Sequence, residues 1–530
     1  MPTYLIEILA GPTAASSPAL RLVHRPEPQK YAALSYCWGG DQRVKLTMST
    51  IAEFTTALPY SQLPRTIQDA ITTAQVLSIG CLWVDALCIV QDDPVHTARE
   101  IALMPSIYQG ACLTIYAARS SHADQGFLDD ITVPALSSHA FRFRIQTRDE
   151  GVSRDADGNV VGDYFIPNIA GSVICFSDAD GSNVVNPIER RGWTFQEYLL
   201  SPRILDFGTY QTTYKCLKLE LRASDHQRLD YGKPAEELNA FRSGFHALHA
   251  NGRLDDNETR DNDGTTVSHN WRTAVELFTS REVTVPRDRL LAISGIALVQ
   301  GRHDRGTYLA GLWREQLNTQ LRWEVVGLKT PRPADYRAPS WSWMAVEGPI
   351  TFHRGSLPEA SERDFQVIDA QIDLKDNTLP YGEVENGSLA IRGWIKPKRV
   401  VNEGRSLVDM DWKPPGDEDT LGTASGLPWG KFGPVQICPD SEGELVDDTS
   451  VYCLEITRYD RNNGPAMGPY GLVLVPAKPG VVDVFRRVAI FKFDARTFPS
   501  LSFFHEQYEV HVEAQRTWMD GAERRNITII

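Results

Sequence analysis

The chain has 530 residues, a net charge of −14 and eight widely spaced cysteines. That length exceeds one ordinary core, so two or three domains are expected, and the acidic balance without any Lys/Arg run excludes a dedicated nucleic-acid surface. No uncharged apolar stretch is long enough to span a bilayer, and Glu7 interrupts the short apolar run near the N-terminus, so neither a membrane span nor a secretory signal is expected.

With no C-x-x-C pair, the cysteines read as buried reduced thiols of a cytoplasmic protein rather than disulfides or metal ligands, and no metal site is expected. Thr3–Leu9 and Leu20–His24 read as short strands. Tyr31–Cys37 is apolar and aromatic, as in a buried strand. Pro64 and Thr66 mark a helix start, with Asp69 completing a capping box. Ile67, Ala70, Ile71 and Ala74 fall on one face of that helix, over 66–79, and Gly80 suits its C-cap. Cys81–Asp85 is the next strand. Thr97–Gln109 is a helix that Pro105 should kink, with Glu100, Met104 and Tyr108 on a face assigned to solvent. Ala111–Ala117 is a third apolar strand. This alternation predicts an α/β fold with an open, mainly parallel sheet and flanking helices.

Residues 118–165 read as a polar excursion with a hairpin at Gly162–Pro167, and Ser172–Ser177 as a strand. Arg190–Leu200 reads as a helix stopped by Ser201-Pro202, followed by paired strands Ile204–Phe207 and Thr212–Cys216. Leu229–Ala250 is patchily helical, and Asn251–Thr266 reads as a loop. Helices are predicted over Trp271–Phe278, Arg287–Val299 and Tyr308–Trp323. From about residue 365 short strands dominate: Ser388–Trp394, Val451–Arg458, Gly471–Val475 and Arg487–Phe493, with Asn402–Gly426 as an exposed loop. Three regions follow: an α/β domain over 1–220, a mostly helical middle over 221–364, and a β-rich region over 365–530. The four tryptophans at 313, 323, 341 and 343 predict that the later regions pack on the first.

Asp85 falls at the carboxyl end of a strand, where open α/β sheets place their ligands. Trp193 and Glu197 are four residues apart on one helical face. A carboxylate beside an aromatic plate suits cleavage of an N-glycosidic bond, by holding a ribose hydroxyl or stabilising an oxocarbenium-like transition state. Trp38, Gly39 and Gly40 could form the opposite wall, and Arg65 could meet a phosphate at a helix N-terminus. The plainer readings stand beside these: Glu197 as a surface carboxylate, Asp85 as a turn cap, the tryptophans as packing residues, and Arg65 as a surface residue. Cys88 and His96 offer a thiol pair that nothing orients. The G-x-S-x-G, H-E-x-x-H, G-x-G-x-x-G and P-loop patterns are absent.

The blocks Leu34-Ser-Tyr-Cys-Trp-Gly39, Leu63-Pro-Arg-Thr-Ile-Gln-Asp69, Leu82-Trp-Val-Asp-Ala-Leu-Cys-Ile-Val-Gln91 and Arg191-Gly-Trp-Thr-Phe-Gln-Glu-Tyr-Leu-Leu-Ser-Pro-Arg203 resemble, in order and spacing, the fungal heterokaryon-incompatibility (HET) domain. Pro286–Gly295, Gly311–Trp313 and Ala338–Trp343 look like the region often attached to such domains. The resemblance implies a TIR- or flavodoxin-like sheet and a role in nonself recognition and programmed cell death. It also implies a distant kinship to Toll/interleukin-receptor (TIR) domains, some of which cleave NAD. Under it, Glu197 and Asp85 are the catalytic candidates, and Tyr36, Trp38, Gly39, Arg65, Gln91, Arg191 and Trp193 the substrate-binding ones. NAD is then a substrate rather than a cofactor, and a second copy or a partner incompatibility protein is the expected macromolecular contact. Departures include Ala86, the long 118–186 excursion, and no following motor or repeat array. They leave open a free-standing small-molecule cyclase, isomerase or hydrolase of specialised metabolism, and a non-catalytic self-associating module. One carboxylate of the pair is expected to have a raised pKa from burial, and the other a lowered one from a neighbouring arginine.

Overall fold

A computed structural model describes residues 1–9, 17–24, 29–129, 186–209, 212–217, 266–304, 306–327, 329–353, 365–401, 406–410, 435–457, 470–493 and 518–530. It also describes strand segments 140–144, 153–154, 160–162, 172–176 and 220–222, and residues 241–242, 245–246 and 404. The sequence readings at Asn251–Thr266, Leu229–Ala250, Gly162–Pro167 and Asn402–Gly426 fall mostly outside them.

The apolar runs of the first region form the centre of an eight-stranded sheet. Its strands are β1 (Tyr4–Leu9), β2 (Ala19–His24), β3 (Ala32–Ser35), β4 (Cys81–Trp83), β5 (Leu113–Tyr116), and strands Arg203–Phe207, Thr212–Cys216 and Glu220–Arg222. β3 lies parallel between β4 and β5, pairing Ala32 with both Leu82 and Leu113, and Arg203–Phe207 extends the parallel set beyond β5. Every residue of β3, β4 and β5 is buried, as a sheet covered on both faces requires. Antiparallel strands are added at both edges: β1 and β2 beside β4, and the last two strands beside Arg203–Phe207.

Helix α1 (Ile51–Thr56) and helix α2 (Arg65–Val76) lie between β3 and β4, and α2 buries Ile67, Ala70, Ile71 and Ala74. The capping box does not form. Pro64 is the N-cap, and Thr66 and Asp69 instead accept from the loop that follows β5: Gly126 N to Thr66 at 3.1 Å, and Phe127 N and Leu128 N to Asp69 at 2.7 and 3.0 Å. Gly80 is not the C-cap either; the chain turns at Ser78, whose φ is 57°. Helix α3 (Asp85–Cys88) is a single turn. Helix α4 (Pro94–Gly110) starts at Asp93, whose carboxylate takes the N–H groups of Val95 and His96. Its Glu100, Met104 and Tyr108 are buried, contrary to the solvent face expected of them, because Thr3 supplies Glu100 with a hydroxyl donor at 2.5 Å. Helix α5 (Gly192–Leu200) precedes strand Arg203–Phe207.

The middle region supplies helices Thr266–Thr279 and Arg289–Asp304. Tyr308–Trp323 is not the helix its pattern predicts: it is a two-residue hairpin, one helical turn and the start of a strand. Gly311, at φ 97°, turns that hairpin, and its carbonyl accepts both Trp271 Nε1 at 3.0 Å and Trp343 Nε1 at 2.8 Å.

The final region forms a second eight-stranded sheet. The long strand Val384–Val401 continues through Ser406–Val408, Val435–Pro439, Val484–Phe493, Tyr470–Pro476 and Ser450–Thr457, which pairs back onto it. Six strands therefore close into a barrel, which leaves those strands no open edge. Val400, Leu407, Val435, Val451, Cys453, Val473 and Phe491 form its apolar core. A single larger cluster runs from Leu5 through Trp271, Trp313 and Trp343 to Ile529, so the later regions pack on the first as their tryptophans predict.

All seven described cysteines are free thiols. Thiol titration of denatured, unreduced protein is expected to find most of the eight cysteines free; three or four disulfides would contradict the intracellular reading.

Candidate functional site

The connection from β3 runs to β4 on one side, and that from β4 runs back past β3 to β5 on the other, so the sheet reverses its winding at the carboxyl ends of β3 and β5, a topological switch point. The chain there is Tyr36-Cys37-Trp38. Asp85 arrives from the end of β4 and Glu197 from α5.

Asp85 is the first residue of α3, and its carboxylate is fixed twice: Ala86 N donates to Oδ1 at 2.7 Å and Trp38 Nε1 to Oδ2 at 2.8 Å. The turn-cap reading and the site reading are thus both satisfied by one side chain. Gln91 works behind it, donating its amide to the carbonyls of Asp85 at 3.1 Å and Ile89 at 3.0 Å. It braces the Asp85 backbone.

Glu197 is 6% exposed, so it is not the surface carboxylate of the plainer reading. Ser35 Oγ donates to its Oε2 at 2.5 Å, and Tyr108, whose hydroxyl donates to Leu34 O at 3.1 Å, stands beside it. Burial pushes the Glu197 carboxyl up to about 7, Asp85 adds to that rise, and Ser35, Arg191 and Tyr108 oppose it. Burial also raises Asp85, against Trp38, Ala86, Arg191 and Tyr36. The expected opposite shifts therefore do not occur; desolvation outweighs the arginine at both carboxyls.

Tyr36 is buried at 4% exposure, and its hydroxyl, next to Asp85, makes no well-formed hydrogen bond. Arg191, just before α5, lies against the Cys37 thiol and within electrostatic reach of Tyr36, Asp85 and Glu197. Among the described residues its guanidinium forms no ion pair. The cluster thus joins one buried and one half-buried carboxyl, one unsatisfied phenol and a cation that lies against a thiol.

Other candidates lie elsewhere or do other work. Arg65 is exposed and committed to Asp69 at 3.1 Å and Asp129 at 2.9 Å, over the loop after β5. Trp193 directs its side chain at Asp288, before helix Arg289–Asp304, rather than stacking across the carboxyls. Gly39, at φ 72°, does permit close approach, but by His122 of the same chain: a Cβ there would lie 2.1 Å from His122 Cβ. Cys88 is fully buried with its pKa driven far up, and His96 Nδ1 accepts from Val90 N, so that pair is no nucleophile. Ser35 and Tyr108 were not picked out from the sequence. A lone serine in a wholly apolar strand was the available sign for the first.

Among the described residues, no group of three His, Cys, Asp or Glu is placed to hold a metal ion, and no helix is long and apolar enough to cross a membrane. Comparison with curated proteins and with solved structures gives no match. Residues 31–197 match the family described as Heterokaryon incompatibility protein (HET), a span containing Tyr36, Trp38, Asp85, Arg191 and Glu197; over that span the chain is similar to a heterokaryon-incompatibility domain.

Proposed function

We propose that the domain acts in fungal nonself recognition and cell death by hydrolysing the N-glycosidic bond of NAD at the Asp85–Glu197 cluster. The observation that carries this reading is the pairing of buried Glu197 with half-buried Asp85, within electrostatic reach of the Arg191 guanidinium. In the proposed reaction the C1′–N bond breaks and its electron pair leaves with the nicotinamide ring, neutralising the pyridinium without a proton donor. Water then adds at C1′ and gives its proton to the cluster, leaving ADP-ribose. Ionised Glu197 stabilises the oxocarbenium character, Tyr36 offers its hydroxyl to the ribose, Arg191 meets the pyrophosphate, and Trp38 presents the ring that its Asp85 bond leaves free. Recognition would come through a second copy or a partner incompatibility protein.

A second reading draws on the same carboxyl. A Glu197 that titrates near neutrality is half protonated there and suits proton donation to a neutral leaving group, in a cyclase, isomerase or hydrolase of specialised metabolism.

The pH profile of nicotinamide release by purified full-length protein separates the two. If the ionised form works, kcat/KM should rise about tenfold per pH unit below about 7 and level off above it. A profile that falls through that region supports the proton donor, and no release by folded protein removes NAD as substrate.

A further inference from the structure

The family match ends at residue 197, yet α5 is seated on a segment well beyond it. Arg191 and Glu282 form a parallel β-bridge: Gly192 N donates to Glu282 O at 2.7 Å, and Glu282 N to Arg190 O at 2.6 Å. Arg281 is 8% exposed; its guanidinium lies 5.0 Å from the Phe195 ring centre and reaches Arg191 O at 3.4 Å. Phe195 meets Phe278 at 6.3 Å between ring centres. The approach is close enough to exclude a side chain at 192, where a Cβ would lie 2.6 Å from Val283 Cγ2.

The residues whose backbone this bridge holds are 190–192, so it sets where the Arg191 side chain starts. We propose that Arg281–Val283, outside the matched domain, is a positioning strap that holds Arg191 against the Cys37 thiol and within electrostatic reach of Asp85 and Glu197. The middle and barrel regions then act on the site through it. The strap rests on the site described above, and its link to turnover rests on the NAD reading. Its residues touch no substrate and are positioning residues. The groups facing Glu197 are Ser35 of β3, Tyr36 and Cys37 after it, Asp85 of α3, Tyr108 of α4 and Arg191. Among the described residues named here Arg191 is the cation, so its withdrawal has a defined electrostatic sign.

The test uses full-length protein and the infrared carboxylate difference between each variant and the same variant carrying Glu197→Gln, followed over pH. Gly192→Ala should push the bridge apart and raise the Glu197 midpoint by roughly one pH unit, as loss of a neighbouring cation does. Val283→Ala in that background removes the obstructing methyl and should return the midpoint to its wild-type value. Arg281→Met keeps the bulk but loses the contact to Arg191 O, and should shift the midpoint in the same direction. With NAD, Gly192→Ala should lower kcat/KM on the order of tenfold or more, and the double variant should recover it. Wild-type midpoints in folded Gly192→Ala and Arg281→Met would overturn the strap, as would a folded double variant that does not recover. A shifting and recovering midpoint in a protein that releases no nicotinamide would support the strap and sink the NAD reading alone.

Discussion

Glu197→Gln should lower nicotinamide release on the order of 100-fold or more while leaving the fold intact. The amide keeps the size of the side chain and can still meet Ser35, but it cannot carry the charge that the transition state needs. The same substitution should stabilise the protein at neutral and higher pH. A carboxyl whose folded pKa stands near 7, against an ordinary 4.5, favours folding below 4.5 and loses that contribution as pH rises to 7. The variant has no such loss, so it should melt higher than wild type at pH 8, by on the order of 3 kcal/mol, and the difference should vanish near pH 4. Thermal melts at the two pH values read this directly. Equal melting at both would mean that Glu197 is not buried as described.

Arg487→Met should be the most damaging single change in the later regions, at about 3–5 kcal/mol. Arg487 and Asp440 are both fully buried and joined at 2.9 and 3.1 Å. The guanidinium also donates to Leu321 O and Trp323 O and lies 3.4 Å over the Trp323 ring, so it ties the barrel to the middle region. Removing it strands Asp440 beside Arg332, which is 3.5 Å away and already bound to Glu444, and leaves two buried carbonyls unsatisfied. Asp440→Asn added to Arg487→Met should restore part of the loss by deleting the stranded charge. Urea denaturation of the three proteins measures this. A single variant as stable as wild type would show the pair to be dispensable.

The parallel centre of the sheet was legible because its signals are local: short apolar runs at β3, β4 and β5, and a helical apolar face at α2. Tyr308–Trp323 was misread because Leu309, Leu312, Trp313 and Leu317 keep a helical spacing while Gly311 breaks the chain between them. What holds Gly311 is two indoles from residues 271 and 343, and no local pattern reports them. The site divides in the same way. Asp85 was legible from its strand end, and Glu197 and Tyr36 from the family blocks that contain them. The role of Ser35, in the same block as Tyr36, was not, because its bond to Glu197 spans 162 residues, and Tyr108 lies outside the blocks. The ion pairs of Arg65 were hidden for the matching reason: Asp129, which shares it with Asp69, lies 64 residues away. Opposite carboxyl shifts were expected, one upward from burial and one downward from an arginine, but desolvation is the larger cause at both, and a sequence does not display it.

The most direct test of the central claim is expression of the full chain in a filamentous fungus beside its Glu197→Gln variant at matched protein level, with cellular NAD measured as growth is followed. The account expects wild type to deplete NAD and arrest growth and the variant to do neither. Arrest with NAD unchanged, or equal depletion by both proteins, would contradict it.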